Sequence, residues 1–431
     1  MEAAEYDVIV VGAGAAGLIA AWEIGMTGRK VVLLEARERI GGRVHTVSDP
    51  LFDLPVERGA EFIHGNLPLS QLLLQKAGIS YYPVEGSVWR HTSGIIEEQD
   101  DFIENFPLLE KKFALLEEDM PVSVFLDRYL SGEEYKTLRF TLASYVEGYN
   151  AADTGRASSF SLREEMLKSD DEQFRIEGGY GGLIGFLESQ CRSHGVDFFL
   201  SHPVTVISWK QNEVEVICRS QQFTASRILI TVPVGVLQTG ALRFEPGIPE
   251  KMEAAGRLGF GGVIKLLLSF DKPFWTDPQL AQGKNLSDMG FLFTKTAVPT
   301  WWTYYPKRSS LLTGWLGGPN AERLKDLEDE ALLSLALDSL CGIFELKRRQ
   351  LEQQLKAWHI ANWINDPFTC GGYSYDVVDG TSMKQLIKTP EKDTLFFAGE
   401  GLFEGPELGT VNAALVNGRD MARKLIASFK S

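Results

Sequence analysis

Tyr6-Asp-Val-Ile-Val-Val11 runs directly into Gly12-Ala-Gly14-Ala15-Ala16-Gly17, then into the helical stretch Leu18 to Gly25. The first six residues read as a buried parallel strand. A second β-rich run, Lys30-Val-Val-Leu-Leu34, ends on Glu35. Strand, glycine loop, helix, strand and acid follow one another in the order that a dinucleotide-binding fold requires. Gly12 permits the tight turn, Gly14 lets the backbone approach a pyrophosphate, and Gly17 lets the helix lie close to the strand. Ala15 and Ala16 open the helix, whose free N–H groups and positive dipole end suit phosphates. Glu35 is placed to accept hydrogen bonds from an adenosine ribose.

The 431 residues exceed one core and predict two domains. Apolar content of 44% and charged content of 23% are those of an ordinary globular enzyme. The net charge of −15 argues against nucleic acid and against an anionic membrane surface. It suits a cationic small-molecule substrate, and equally a surface that is merely solubilising. Cys191, Cys218, Cys341 and Cys370 form no CxxC pair, so neither a metal site nor a disulfide framework is expected. The start, Met1-Glu-Ala-Ala-Glu5, lacks the basic residues of a secretory leader, and no apolar run reaches membrane-span length. A cytoplasmic protein is the expectation.

The expected fold class is α/β, with a Rossmann-like nucleotide domain and an inserted substrate domain of mixed sheet and helices. From about Leu67 to Leu167 the pattern reads as helical and acidic, as in Leu108-Leu-Glu-Lys-Lys-Phe-Ala-Leu-Leu116. Strand signals return at Val204-Thr-Val-Ile207, Val214-Glu-Val-Ile217 and Arg227-Ile-Leu-Ile-Thr-Val232, and again at Val263-Ile-Lys-Leu-Leu-Leu-Ser-Phe270. Residues 290–316 are aromatic and β-like, and residues 321–355 are helical and charged. A strand at Thr394-Leu-Phe-Phe-Ala398 and a helix from about Val411 close the chain and are expected to rejoin the first sheet. The nucleotide domain is therefore assigned to 1–75, 176–260 and 390–431, and the substrate domain to 76–175 and 261–389.

Two further constellations extend the nucleotide signature. Glu35-Ala36-Arg37-Glu-Arg39-Ile-Gly-Gly42-Arg43 carries a second glycine pair and a cation past the ribose acid. Arg43 suits a pyrophosphate oxygen, and Gly41-Gly42 let the backbone pass close to a cofactor of longer reach. Phe396-Phe-Ala-Gly-Glu400 follows a strand, and Gly409-Thr410-Val411 opens the last helix. A helix N-terminus aimed at an isoalloxazine stabilises negative charge there, and Glu400 suits a ribityl or ribose hydroxyl.

With these motifs the chain resembles the FAD-dependent amine oxidase superfamily, which holds monoamine, polyamine and L-amino-acid oxidases and the lysine-specific histone demethylases. Arg58-Gly59-Ala60-Glu61-Phe62-Ile-His64-Gly65, Pro233-Val-Gly-Val-Leu237, Lys265, Phe274-Trp275, Trp363-Ile-Asn-Asp-Pro367 and Phe397-Ala-Gly-Glu400 carry the likeness over nearly the whole length. Val232 to Leu237, Phe244-Glu-Pro246 and Gly259 to Lys265 resemble the polyamine oxidase and demethylase branch. Against the demethylases, 431 residues leave no room for a helical tower or an extra N-terminal domain.

The resemblance implies FAD, held among others by Gly59, Ala60, Glu61, Phe62, Val204 and Val411. It implies hydride transfer from an amine to flavin N5, giving an imine and then an aldehyde and an amine, with oxygen reduced to hydrogen peroxide. Lys265 would project from its strand and hold a water at N5. Burying a lysine away from a carboxylate is costly, and its apolar flanks argue against a solvent-facing position. Tyr373 would form one wall before the flavin, with Thr410 where monoamine oxidases have a second aromatic wall. His64 is either near the flavin and substrate or a structural histidine in a turn. Gly372 occupies the place of the flavin-linked cysteine of monoamine oxidases, and Cys370 lies two residues earlier, so noncovalent FAD is expected. Glu61, Glu404 and Glu407 are candidates to grip remote ammonium groups. The partners expected are an amine and molecular oxygen, with a homodimer left open. Two alternatives stay open: an L-amino-acid oxidase, needing an arginine such as Arg90, Arg139 or Arg156, and an FAD-binding dehydrogenase or scaffold.

Overall fold

The computed structural model describes residues 4–99, 106–168, 172–218 and 221–430. The opening Met1-Glu-Ala of the leader reading lies outside them. The strand Tyr6–Val11 lies between Val31–Leu34 and Gln221–Ile230, all parallel. Asp197–Phe199 extends this sheet beyond Val31–Leu34. On the other side Gln221–Ile230 turns back through the antiparallel strands Glu213–Cys218 and Val206–Lys210. Leu395–Phe397 pairs in parallel with Gln221–Ile230. The last strand of the chain therefore enters the sheet that the first strand opens.

All of the helix Ala15–Gly25 except Glu23 is buried. A helix apolar all round must be covered all round. The sheet covers one side, and the helices Gly181–Ser193 and Val411–Ala427 cover the other. Two glycines make the contacts possible. A Cβ on Gly17 would lie 1.9 Å from the Gly12 carbonyl oxygen, and one on Gly418 would lie 2.4 Å from that of Ala16.

A second sheet runs in the order Leu355–Asn362, Val263–Phe270, Leu311–Gly317, Thr300–Trp302, Met289–Thr294, Ser87–Thr92, Ile95–Gln99. Every residue of Val263–Phe270 is buried, because the strand is covered on both faces. Ile264, Leu266, Leu268 and Phe270 pack into a core with the helix Asp329–Phe344. Val263, Lys265 and Leu267 point the opposite way, Leu267 onto Phe52 and Val56 and Lys265 into the site described below.

Strands Ser87–Thr92 and Ile95–Gln99 correct the reading of 67–167 as helical throughout. The first pairs in parallel with Met289–Thr294, two hundred residues away, so nothing local marks it. Helices do occupy most of 106–168. A third sheet joins Phe62–His64, Gln173–Ile176 and Tyr81–Pro83, taking strands from both sides of the 75/76 boundary. Among the described residues no helix is long and apolar enough to cross a membrane.

Gly418→Ala forces the first and last helices apart. We expect a loss of about 1–3 kcal/mol, as for other overpacked contacts, together with lower FAD content. Thermal unfolding and the flavin-to-protein absorbance ratio check it, and unchanged values for both would refute the account of this contact.

Candidate active site

A cavity of about 2240 Å³ runs between the two large sheets. It exceeds the roughly 300–1,000 Å³ of a drug-sized pocket, so it has room for a large cofactor beside a substrate. Gly12, Gly14, Ala15 and Ala16 line one end, where the first helix starts. Gly17 stands behind them in the helix–strand contact. Gly14 has open space where a Cβ would be, and Gly42, at φ +58°, passes within 3.4 Å of it by the same measure. The second strand ends there on Glu35. Its carboxylate accepts hydrogen bonds from the amides of Ala13 at 2.7 Å and Arg37 at 2.9 Å. Ala36 and Val204 complete this wall. Arg37 itself is held by a bidentate pair with Asp366, at 2.8 and 2.5 Å.

Arg43 crosses to the other side of the cradle. Its Nη1 donates to Glu400 at 2.5 Å and to the Gly372 carbonyl at 2.8 Å. Glu400 is buried, and its Oε2 has no hydrogen-bond partner. A buried carboxylate oxygen left unpaired is costly, and a hydroxyl on a bound cofactor would satisfy it. Val411 begins the last helix against the same cavity. Two helix N-termini, an orphaned acceptor and a glycine cradle thus fit FAD.

The middle of the cavity is built on charge. Lys265 Nζ donates to Glu61 Oε2 at 2.6 Å and to the Gly59 carbonyl at 3.2 Å. An ammonium has three donors, so one remains for the cavity. Glu61 also receives Arg175 Nε at 3.0 Å and Trp302 Nε1 at 3.1 Å. Burial alone would raise the Glu61 carboxyl, but Lys265 and Arg175 more than reverse this and hold it below the ordinary carboxylate range. Lys265 is therefore buried beside a carboxylate, not away from one. The same contacts correct the reading of Glu61 as a grip for substrate, because both its oxygens are already taken. Glu404 is also corrected: it pairs with Lys388 outside the cavity lining. Glu407 does line the cavity. Ala60 and Phe62 flank Glu61 on the wall, and the Arg175 guanidinium lies 4.8 Å from the centre of the Phe62 ring.

Tyr373 and Trp315 form an aromatic slab, their rings 6.3 Å apart and 20° from parallel. The Tyr373 hydroxyl donates to the Tyr149 carbonyl. The Tyr149 hydroxyl meets His64 Nδ1 at 2.9 Å, which puts His64 in the cavity wall through a tyrosine. Burial lowers the His64 pKa to about 4, so it is uncharged at neutral pH. Thr410 lines the same cavity, but its hydroxyl accepts from the Ala413 amide at 3.1 Å and donates to the Glu407 carbonyl at 2.7 Å. Thr410 is committed to capping the last helix, which corrects its assignment as catalytic.

Arg175, Trp302, Tyr149, Asn150 and Glu165 were not singled out from the sequence. The aromatic pair Trp301-Trp302 was a usable signal; Tyr149, Asn150 and Glu165 lie in the stretch that reads as acidic helix, and Arg175 lies just beyond it. None of the four cysteines lines the cavity. Acid denaturation should therefore release FAD into the supernatant, leaving a colourless precipitate. Flavin retained on the washed chain would overturn noncovalent binding.

The sequence profile of the flavin containing amine oxidoreductase family matches residues 15–91 and 89–426. Probable polyamine oxidase 4 of Arabidopsis thaliana is 29% identical, over 92% of this chain and 82% of that one. Lysine-specific histone demethylase 2 of Homo sapiens is also 29% identical, over 98% of this chain and 53% of that one. Among solved structures, cyclohexylamine oxidase from Brevibacterium oxydans IH-35A superposes with a TM-score of 0.80 at 19% identity, covering 99% of this chain and 100% of that one. Putrescine oxidase bound to putrescine gives 0.78 at 19% identity, over 98% and 99%. The glycine cradle, the buried Lys265 and the aromatic slab thus stand in a chain that belongs to the flavin containing amine oxidoreductases and oxidises amines with FAD.

Proposed function

We propose that the substrate is a polyamine, oxidised to an imine that hydrolyses to an aldehyde and an amine while oxygen is reduced to hydrogen peroxide. The observation that carries this reading is the cavity, about 2240 Å³, whose wall carries the Tyr373–Trp315 slab and, at Thr410, a residue without a ring. So large a cavity admits a long, flexible chain beside the cofactor. The polyamine oxidases among the relatives support the same reading.

FAD, when bound, would supply the acceptor for the two electrons of the amine's α-C–H bond. The protein's part is to position and desolvate the amine. A free alkylammonium has a pKa of around 10, so the reacting nitrogen must shed a proton. Lys265 and Arg175 both bind Glu61, with the buried Glu57 close by, and the loss of water in this wall disfavours a further cation. The amine that approaches Lys265 is thereby pushed to its neutral form. The remaining N–H of Lys265 donates to a water in the cavity, placed for proton movement or imine hydrolysis. Of the arginines that would serve a substrate carboxylate, Arg139 is bound to the carbonyls of Leu130 and Gly132, and Arg156 to those of Arg257 and Leu258. Arg90 lines the cavity and keeps the amino-acid alternative testable.

A peroxide-release assay on the yellow protein should show turnover of spermine, spermidine or their N-acetyl forms well above monoamines and L-amino acids. Turnover of amino acids alone would replace this reading by the Arg90 alternative. Flavin bleached anaerobically without peroxide would mark a dehydrogenase. Lys265→Met leaves Glu61 paired with Arg175 and should slow flavin reduction or reoxidation about 100-fold or more, the scale of a positioned proton-transfer group. Stopped-flow traces unchanged in both half-reactions would remove Lys265 from the mechanism.

A further inference from the structure

The two buried acids close to Lys265 differ in kind. Glu61 is locked as a carboxylate, because lysine, arginine and an indole N–H can only donate, and all three point at it. A proton on Glu61 would meet a donor at either oxygen. Glu57, on the strand Val56–Glu57, stands behind the cavity wall. It is buried, and among the described residues no cation pairs with it. Its Oε1 accepts the Tyr180 amide at 2.5 Å, and its Oε2 accepts the Thr46 hydroxyl at 2.8 Å. The second of these contacts can reverse. A hydroxyl oxygen has two lone pairs and can accept as well as donate. One takes the Gly181 amide at 2.7 Å, and the other can take a proton carried by Glu57. Both the ionised and the protonated carboxyl therefore keep their hydrogen bonds, as a buried polar group must.

A second observation links Glu57 to the site. Tyr304, its ring 4.6 Å from the Arg175 guanidinium, is buried with no partner for its hydroxyl, and Arg175 Nη1 is likewise unpaired. Tyr304 lies near enough to feel the charges of Glu61, Arg175 and Glu57. A hydroxyl left free among these groups can give a proton and take one. The titratable and charged neighbours of Glu57 are thus Lys265, Glu61, Tyr180 and Tyr304. Burial lifts the Glu57 pKa to about 7; Glu61 adds to this, and the Tyr180 amide, Thr46 and Lys265 oppose it. Glu165, on the helix Ser159–Lys168, also meets only neutral donors, Tyr145 and Asn150, but the charge it feels is that of Asp376.

The reaction needs such a group. An amine that arrives as an ammonium, R–CH2–NH3+, and becomes an iminium, R–CH=NH2+, gives up a hydride and one proton. Oxygen that becomes H2O2 takes up a hydride and one proton. The hydride has its acceptor in bound FAD; the proton needs a place of its own. We propose that Glu57 stores this proton, accepting it as the amine is oxidised and returning it as oxygen is reduced, with the Tyr304 hydroxyl passing it. The direction follows from Lys265. That cation favours ionised Glu57, and negative charge added to the cavity in front of it offsets the effect and favours the protonated form. The inference rests on oxygen as the electron acceptor, as proposed above, and not on the class of amine.

The test uses anaerobic holoenzyme reduced electrochemically, with neither amine nor oxygen present. In mildly alkaline buffer Glu57 is ionised before reduction. There the midpoint potential of the wild type should fall with pH at the slope of two protons per two electrons, and that of Glu57→Gln at the slope of one. The reduced-minus-oxidised infrared spectrum should gain the carbonyl band of a protonated carboxyl, lost in Glu57→Gln and kept in Glu165→Gln. Tyr304→Phe should keep both signatures yet slow reoxidation by oxygen; an unchanged rate removes Tyr304 from the path. Bound-flavin content reports that each variant has folded. A wild type without the carboxyl band overturns the store with no variant needed, and so does a slope or a band that survives Glu57→Gln. Both signatures in a protein that releases no peroxide would uphold proton uptake by Glu57 and sink the proposed oxygen reaction.

Discussion

The buried carboxylate of Glu61 is the contact on which the site depends. It lies on the loop that leads from the nucleotide cradle, yet it binds Lys265 from the central strand of the second sheet, Arg175 from the small three-stranded sheet and Trp302 from a neighbouring strand. Two sheets and a loop from the cradle meet at one side chain. An ion pair buried this deeply adds little net stability, because desolvation offsets the attraction, whereas removing one partner leaves an uncompensated charge and costs about 3–5 kcal/mol. Its worth is therefore in registry. The charges can be satisfied only when the two sheets and the loop adopt one mutual arrangement, and that arrangement aims the last N–H of Lys265 into the cavity.

The two halves of the site were unequally legible in the sequence. The cradle is local: Gly12 to Gly17, Glu35 and Arg43 lie within 32 residues, and each glycine answers a backbone need that no other residue meets. Glu400 and Val411 were readable because a strand and a helix start bracket them. The substrate half is assembled from far apart. Arg175 is 114 positions from Glu61, and Lys265 is 204. A lysine in an apolar strand announces a buried charge, but not which of 58 acids answers it. Glu61 was thus read as free to meet substrate when its two oxygens were already used.

Acidic surface loops caused the other misreading. Glu404 was a candidate only as an acid able to grip a remote ammonium; the chain turns after the short helix Glu400–Leu402 and carries Glu404 out to Lys388. Glu165 failed in the opposite sense. Its helix carries Arg163, Glu164 and Lys168 and reads as an ordinary charged helix, and only the crossing of Tyr145 and Asn150 from the preceding helix and turn shows that one of its acids faces inward. A charge pattern cannot distinguish a solvated face from a cavity face, since both avoid the core.

The charges at the substrate end are closely matched. Lys265 and Arg175 both bind Glu61, and the buried Glu57 lies near enough to feel the charge of Lys265. On the same cavity wall Tyr373 and Tyr149 are joined to each other and to the uncharged His64 by hydrogen bonds. An amine seated there meets hydroxyl, imidazole and aromatic groups and the remaining N–H of Lys265, with no free carboxylate among the contacts of Glu61 to hold it charged. Loss of water on entry then favours its neutral form, which is the form that can be oxidised.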